Sequence, residues 1–170
     1  MKINAKDYLT HIDNADDVRY LRFKLFDVNM RIFHNHFWYR KMVQECCAIL
    51  GDLAVAEYSD YKKPHGMSGA NAGIPFNIIA IVTKRGQKDE GVNILINPKI
   101  INYDGKEIET FSNCGSIRLK EPIKIKRWEK VTVRYFDCEG NEHTQEFRRN
   151  AATIQHEIDH NNGVLITDRQ

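Results

Sequence analysis

The chain has 170 residues, 42% of them hydrophobic and 28% charged, which favours one domain with one apolar core, since chains usually split only beyond roughly 250 residues. Lys and Arg number 25 against 23 Asp and Glu, a net charge of +2, so the strong basic excess of a nucleic-acid or anionic-membrane partner is missing. No apolar run approaches the roughly 18 residues of a membrane span and the first residues, MKINAKDYLTHID, hold no apolar leader core, so a soluble, cytoplasmic protein is expected.

Residues 13–60 read as helical. Val43, Cys46, Cys47, Leu50, Leu53 and Ala54 recur at the spacing of one buried helix face and place a helix at about 36–57. Before it, Val18, Leu21, Leu25, Val28 and Ile32 fit a second helix, although Leu21, Phe23, Leu25 and Phe26, Val28, Met30, Ile32 also alternate as strands do; the helix is preferred. From residue 74 the texture turns to strands. Ile78–Val82 and Val92–Ile96, the latter ending at Asn97-Pro98, are short apolar runs, and Ile123, Ile125 and Val131, Val133, Tyr135 alternate with polar residues. Asp137–Asn141 supplies turn chemistry before a partner strand near 143–148. Asn150 is placed to cap a helix running through Asn161, with Gly163 as the residue just past its end. The expected fold is α+β: antiparallel strands packed around a C-terminal helix, with a helical N-terminal part over 1–63 and a motif-bearing part over 64–170 of a single domain.

That late helix contains His156-Glu157-Ile158-Asp159-His160. Histidines four apart stand one turn apart on one face and reach a single ion, while the Glu beside the first is placed to handle the proton of a bound water. A catalytic site of this type needs a third protein ligand, and no His or Glu follows His160. The ligand must come from upstream, and Cys114, in the small-residue stretch Ser112-Asn113-Cys114-Gly115-Ser116, is the best candidate. The other cysteines, at 46, 47 and 138, form no CxxC pair; Cys46 and Cys47 are expected in the core, and Cys138 exposed and inert in a turn. His34 and His36, two apart, point different ways on a helix and are not expected to share a metal. His65 is expected to line the cleft or face solvent. Phe33, Phe37, Trp38 and Tyr39 read as core or dimer contacts, and Lys120–Lys130 as a solvated strand face.

Gln155–Leu165 resembles the peptide deformylase motif QHExDHLxGxLF, including positions outside HExxH. Cys114-Gly115-Ser116 falls where that family has the end of EGCLS, Gly66–Gly73 aligns without gaps with GLAAPQVG, and Ile94–Pro98 resembles its LINP strand. The R-x-x-x-V-x-V segment corresponds to Arg127–Val133, and the resemblance covers about residues 64–168. It implies a metal-dependent hydrolase that removes the formyl group from N-formylmethionyl peptides of nascent proteins, met at the ribosome exit. It further implies one divalent ion, Fe2+ or Zn2+, on Cys114, His156 and His160, Glu157 as general base, and an oxyanion held by the metal, the Gly115 N–H and a side-chain amide at position 71. Four positions depart from the pattern. Asn71 stands for the family's Gln, one methylene shorter; Ser112 replaces the glutamate expected to pair with Arg127; Asn113 replaces the glycine before the cysteine; and Gly115 replaces the leucine after it. These departures leave two other readings open, a catalytically weak or inactive deformylase-like protein that binds metal and a peptide terminus, and a zincin-type peptidase using HExxH alone.

Overall fold

The computed structural model describes residues 19–58, 65–83, 91–117 and 119–169. Helix α1 (Met30–Asn35) leads into the long helix α2 (Phe37–Tyr58). Strands β1 (His65–Ser68), β2 (Ile78–Thr83), β3 (Gly91–Ser112), β4 (Ile123–Phe136) and β5 (Glu142–Phe147) form one antiparallel sheet in sequence order, and helix α3 (Ala151–Asn161) and a 3-10 turn (Ile166–Arg169) follow it. The architecture is α+β, as expected.

Around β2 the sheet is covered on both faces, which explains why that strand reads as an unbroken apolar run. Its six residues are all buried. Ile78, Ala80 and Val82 join Phe33, Val43, Leu50 and Leu53 in the core under α1 and α2. Ile79 and Ile81 point the other way, into a second core with Val131, Val133, Ile154 and Ile158 from β4 and α3. A strand buried on both sides loses the apolar–polar alternation of a half-solvated one. Each fully buried Ile or Leu contributes about 1.5–3 kcal/mol of transfer free energy, so the two layers fix α3 firmly against the sheet.

α2 and α3 lie within a residue or so of their expected bounds. α3 ends in a Schellman turn: Gly163 takes φ 74°, its N–H reaches His160 O at 3.0 Å, and Val164 N reaches Asp159 O at 2.9 Å. A side chain at 163 would meet Arg22 O at 2.3 Å, so glycine is required twice over. At the other end Asn150 holds the cap position but makes no side-chain cap bond. Its ψ of 11° is not the extended cap conformation, and its carbonyl alone joins the helix, accepting from Ile154 N at 2.8 Å.

The expected helix over Val18–Ile32 does not form. Residues 13–18 of that expectation lie outside the described residues, as does its continuation at 59–60. From Leu21 onward the chain is mostly an extended strap. Leu25 N donates to Asn161 O at 2.8 Å, Phe26 N to Pro75 O at 3.0 Å and Val28 N to Asn97 Oδ1 at 2.7 Å. Remote acceptors have taken the donors a helix would use, and only after Asn29, whose side chain caps Ile32 N, does α1 begin. The strand predicted to stop at Asn97-Pro98 instead continues to Ser112. Asn97 adopts φ 51°, the pairing register shifts between Ile96 and Lys99, and the strand leaves β2 to follow β4. Among the described residues no helix is long and apolar enough to cross a membrane.

Candidate metal centre and cleft

One face of α3 belongs to the core and the next to a cleft. Ala151, Ile154 and Ile158 pack on the sheet, which turns His156, Glu157 and His160 toward the loop after β3. The helix is held in rotation and depth by polar bonds as well. Gln155 reads the backbone of β4, accepting from Trp128 N at 3.1 Å and donating to Trp128 O at 2.9 Å. Asn161 donates to Ile78 O at 3.1 Å. Asp159 is gripped from both sides, by Arg127 Nη1 at 2.6 Å and by Arg169 Nη2 at 2.6 Å. Arg127, deprived of the glutamate that Ser112 replaces, is thus ion-paired to the helix that carries the histidines.

The three expected metal donors converge. Cys114 Sγ lies 3.2 Å from His160 Nε2, which lies 3.2 Å from His156 Nε2, and all three atoms fall within 4.8 Å of one another. Burial pushes His160 down to about 4 and His156 well below the usual imidazole range, so both present neutral, ligating nitrogens at neutral pH. Burial likewise pushes the Cys114 thiol up to about 12. One soft thiolate and two imidazoles, with space beside them, form the donor set of a zinc- or ferrous-type catalytic site, and the residues present fit such an ion.

Glu157 stands next to this cluster and is fully enclosed; burial first, and Asp159 more weakly, raise its carboxyl to about 8 despite Arg127. Its Oε2 is buried with no protein partner. The enclosure comes partly from β1: a Cβ at Gly66 would sit 2.7 Å from Glu157 Cγ and 2.7 Å from Thr153 Cγ2, so glycine alone lets α3 approach so closely. The cleft, about 150 Å³, is lined by these groups together with His65, Met67, Asn71, Ser112, Gly115 and Ser116. All six site residues expected from sequence therefore border one space. Asn71 does so with its amide engaged: Oδ1 accepts from Ser68 N at 2.9 Å and Ser68 Oγ at 2.6 Å, and Nδ2 donates to Ser116 Oγ at 2.7 Å.

Gly66, Ser68, Ser116 and Asp159 were not singled out from sequence for these roles; only their places inside the quoted motifs marked them. Cys47 is buried and Cys46 half-buried, but Cys138 is not the exposed turn residue expected. It is half-buried against the core, and its carbonyl accepts from Gln44 Nε2 at 2.8 Å, because the β4–β5 turn folds onto α2. Of the aromatic group, Phe33 is core while Phe37 and Trp38 are exposed.

The fold and the site define an α+β domain built round an HExxH helix, with an upstream cysteine completing a three-donor metal cluster. The chain belongs to the polypeptide deformylase family, whose sequence model matches residues 41–170. The peptide deformylase of Streptococcus pyogenes serotype M5 (strain Manfredo) is 29% identical over 130 residues, 69% of this chain and 64% of that protein. The chain thus spans about 64% of the length of the curated relatives it matches. In fold it is similar to the class I type b peptide deformylase of Acinetobacter baumannii, with TM-score 0.73, 21% identity and 96% and 97% of the two chains covered. The same enzyme with Met-Ala-Ser bound matches at TM-score 0.71 and 20% identity, covering 95% of this chain and 96% of that one.

Proposed function

We propose that this chain is a metal-dependent deformylase that hydrolyses the N-formyl group of N-formylmethionyl peptides in the cytoplasm, as nascent chains leave the ribosome. The convergence of Cys114, His156 and His160 beside the enclosed Glu157 is the observation that carries it. Membership of the family and the Met-Ala-Ser peptide held by the A. baumannii enzyme support the substrate class.

Cys114, His156 and His160 would hold one Fe2+ or Zn2+. Such an ion supplies Lewis acidity, acidifying water and polarising a carbonyl. Glu157, not among the donors, takes the proton of the attacking water and hands it to the departing amine, and a carboxyl raised toward neutrality suits both halves of that task. The Gly115 N–H, at the cleft wall beside Cys114, and the amide at position 71 are the protein groups offered to the developing oxyanion. Products leave as formate and a free methionyl amine.

Metal analysis of anaerobically purified protein, paired with a formyl-Met-peptide assay, tests this. One ion per chain together with formate release is the expected result. Stoichiometric metal without turnover would return the chain to the reading of a metal- and peptide-binding relative, and no metal would remove both.

A further inference from the structure

α2 is apolar on both sides. Its inner face, with Val43, Leu50 and Leu53, lies in the core against β2. A surface helix ordinarily turns charged and polar residues outward, and one that is apolar all round is a helix buried on both sides. Between Phe37 and Ala56 ten residues are exposed; seven of them are apolar, and the other three are Lys41, Glu45 and Asp52. Trp38 is 68% exposed, and Met42, Ile49 and Val55 lie between 42% and 47%. Apolar surface gathered on one element in this way marks a contact surface. The outward residues also recur every seven. Trp38, Glu45 and Asp52 form one row, and Lys41, Ala48 and Val55 a second, three residues further on. Two such rows are the seam of a two-helix coiled coil.

We propose that the outer face of α2 is an interface between two copies of this chain, their helices antiparallel about a two-fold axis that passes between Glu45 and Ala48. In that arrangement each row meets the other row of the second copy. Trp38 lies on Val55 of the second copy, Glu45 beside its Ala48, and Lys41 against its Asp52, each contact made twice by symmetry. The one cation of the seam therefore meets an acid, and the small Ala48 stands at the centre, where the backbones come closest. A parallel pair would instead set Asp52 against Asp52 and Lys41 against Lys41. The charges also select the occupant: two acids within the stripe repel a phosphate-bearing surface, whether lipid or RNA, whereas they complete a self-complementary one. α2 covers the side of β2 opposite to α3, and among the described residues none of α2 lines the metal cleft, so pairing leaves both clefts open. Three charged residues in so short a seam make the association weak and dependent on concentration.

The test is sedimentation equilibrium of the full chain from micromolar to submillimolar concentration. The parent should move from the mass of one chain toward that of two, and a single-chain mass throughout would overturn the interface. Lys41→Glu and Asp52→Lys should each weaken self-association about tenfold or more, because like charges then face one another at both symmetry-related contacts. Mixed together, these two variants should form a heterodimer as tight as the parent dimer, since every contact is again between opposite charges. Recovery on mixing shows that both variants are folded, and circular dichroism of each alone should match the parent. Dimerisation unchanged by either substitution would place the interface on another face. Two monomeric variants with parent-like dichroism that do not associate when mixed would overturn the antiparallel pairing.

Discussion

Gly66→Ala is the most demanding test of the proposed site, because one methyl group meets the Glu157 carboxylate without adding any charge. A Cβ at that position would stand 2.7 Å from both Glu157 Cγ and Thr153 Cγ2 and 2.9 Å from Glu157 Oε1, against 3.4 Å for the closest ordinary contact. Thr153 and Glu157 are four apart on α3, so the methyl pushes on one turn of that helix. Something must yield by about 0.7 Å. If the helix backs away, overpacking costs about 1–3 kcal/mol, a loss of roughly 2–4 °C in Tm per kcal/mol for a chain of this size. If Glu157 swings aside, its carboxylate leaves the position that the proposed proton transfer requires, and a displacement near 1 Å costs about 10²-fold in rate. The expected variant keeps its ion, since the nearest atoms belong to Glu157 and Thr153 rather than to Cys114, His156 or His160. It should lose about 10²-fold in kcat on a formyl-Met peptide and melt a few degrees lower. Metal by atomic absorption, Tm by calorimetry and formate release separate these effects. Parent kcat and parent Tm together would show that β1 and α3 have slack, and would refute the claim that glycine is needed there.

Three further outcomes follow from the same geometry. Cys114→Ala should lose stoichiometric metal while the fold survives, read by metal analysis and circular dichroism; full retention would place the site elsewhere. Glu157→Gln should keep one ion per chain and lose formate release, and loss of the ion would make Glu157 a ligand. In the metal-free protein, burial raises Glu157 from 4.5 to about 8, so the folded chain holds a proton that the unfolded chain releases, and stability falls as pH rises toward 8. The lowered histidines act oppositely but only below their unfolded value of 6.5, and the raised thiol acts only above 9. Between pH 6.5 and 8 the decline in Tm should therefore be clear in metal-free parent and absent in Glu157→Gln.

The parts of the fold that were legible in the sequence are those whose pattern is enforced locally. α2 showed its 3.6-residue period because one face meets β2, and β2 showed a solid apolar run because both faces are covered. The strap from Leu21 to Val28 was not legible, since its hydrogen bonds go to Asn161, Pro75 and Asn97, all remote in sequence. Its apolar spacing satisfies a helix equally well, and only those acceptors decide against one. β3 hid for a similar reason. Asn97-Pro98 carries the chemistry of a strand end, yet Asn97 tolerates a positive φ and its side chain bonds both Val28 N and Val28 O, so the chain bends there and continues.

At the site, what could be read were the groups whose chemistry requires one residue type at one spacing. Two imidazoles four apart with a carboxylate between them mark the helix, and the lack of a downstream donor sends the search for a third ligand to Cys114. What could not be read were contacts set by distance between elements. Arg127 was expected to stand without its glutamate, but Asp159, inside the HExDH segment itself, takes its guanidinium at 2.6 Å and shares its other oxygen with Arg169. An arginine only 4% exposed needs such a partner, because an unpaired guanidinium in that position would cost on the order of several kcal/mol. The same reasoning applies to Asn71. Judged against glutamine its side chain is simply short, whereas Ser68, three residues before it, and Ser116, 45 residues after it, give that length a purpose. A substitution at a cleft position such as 71 is therefore informative only together with the groups its shorter reach engages.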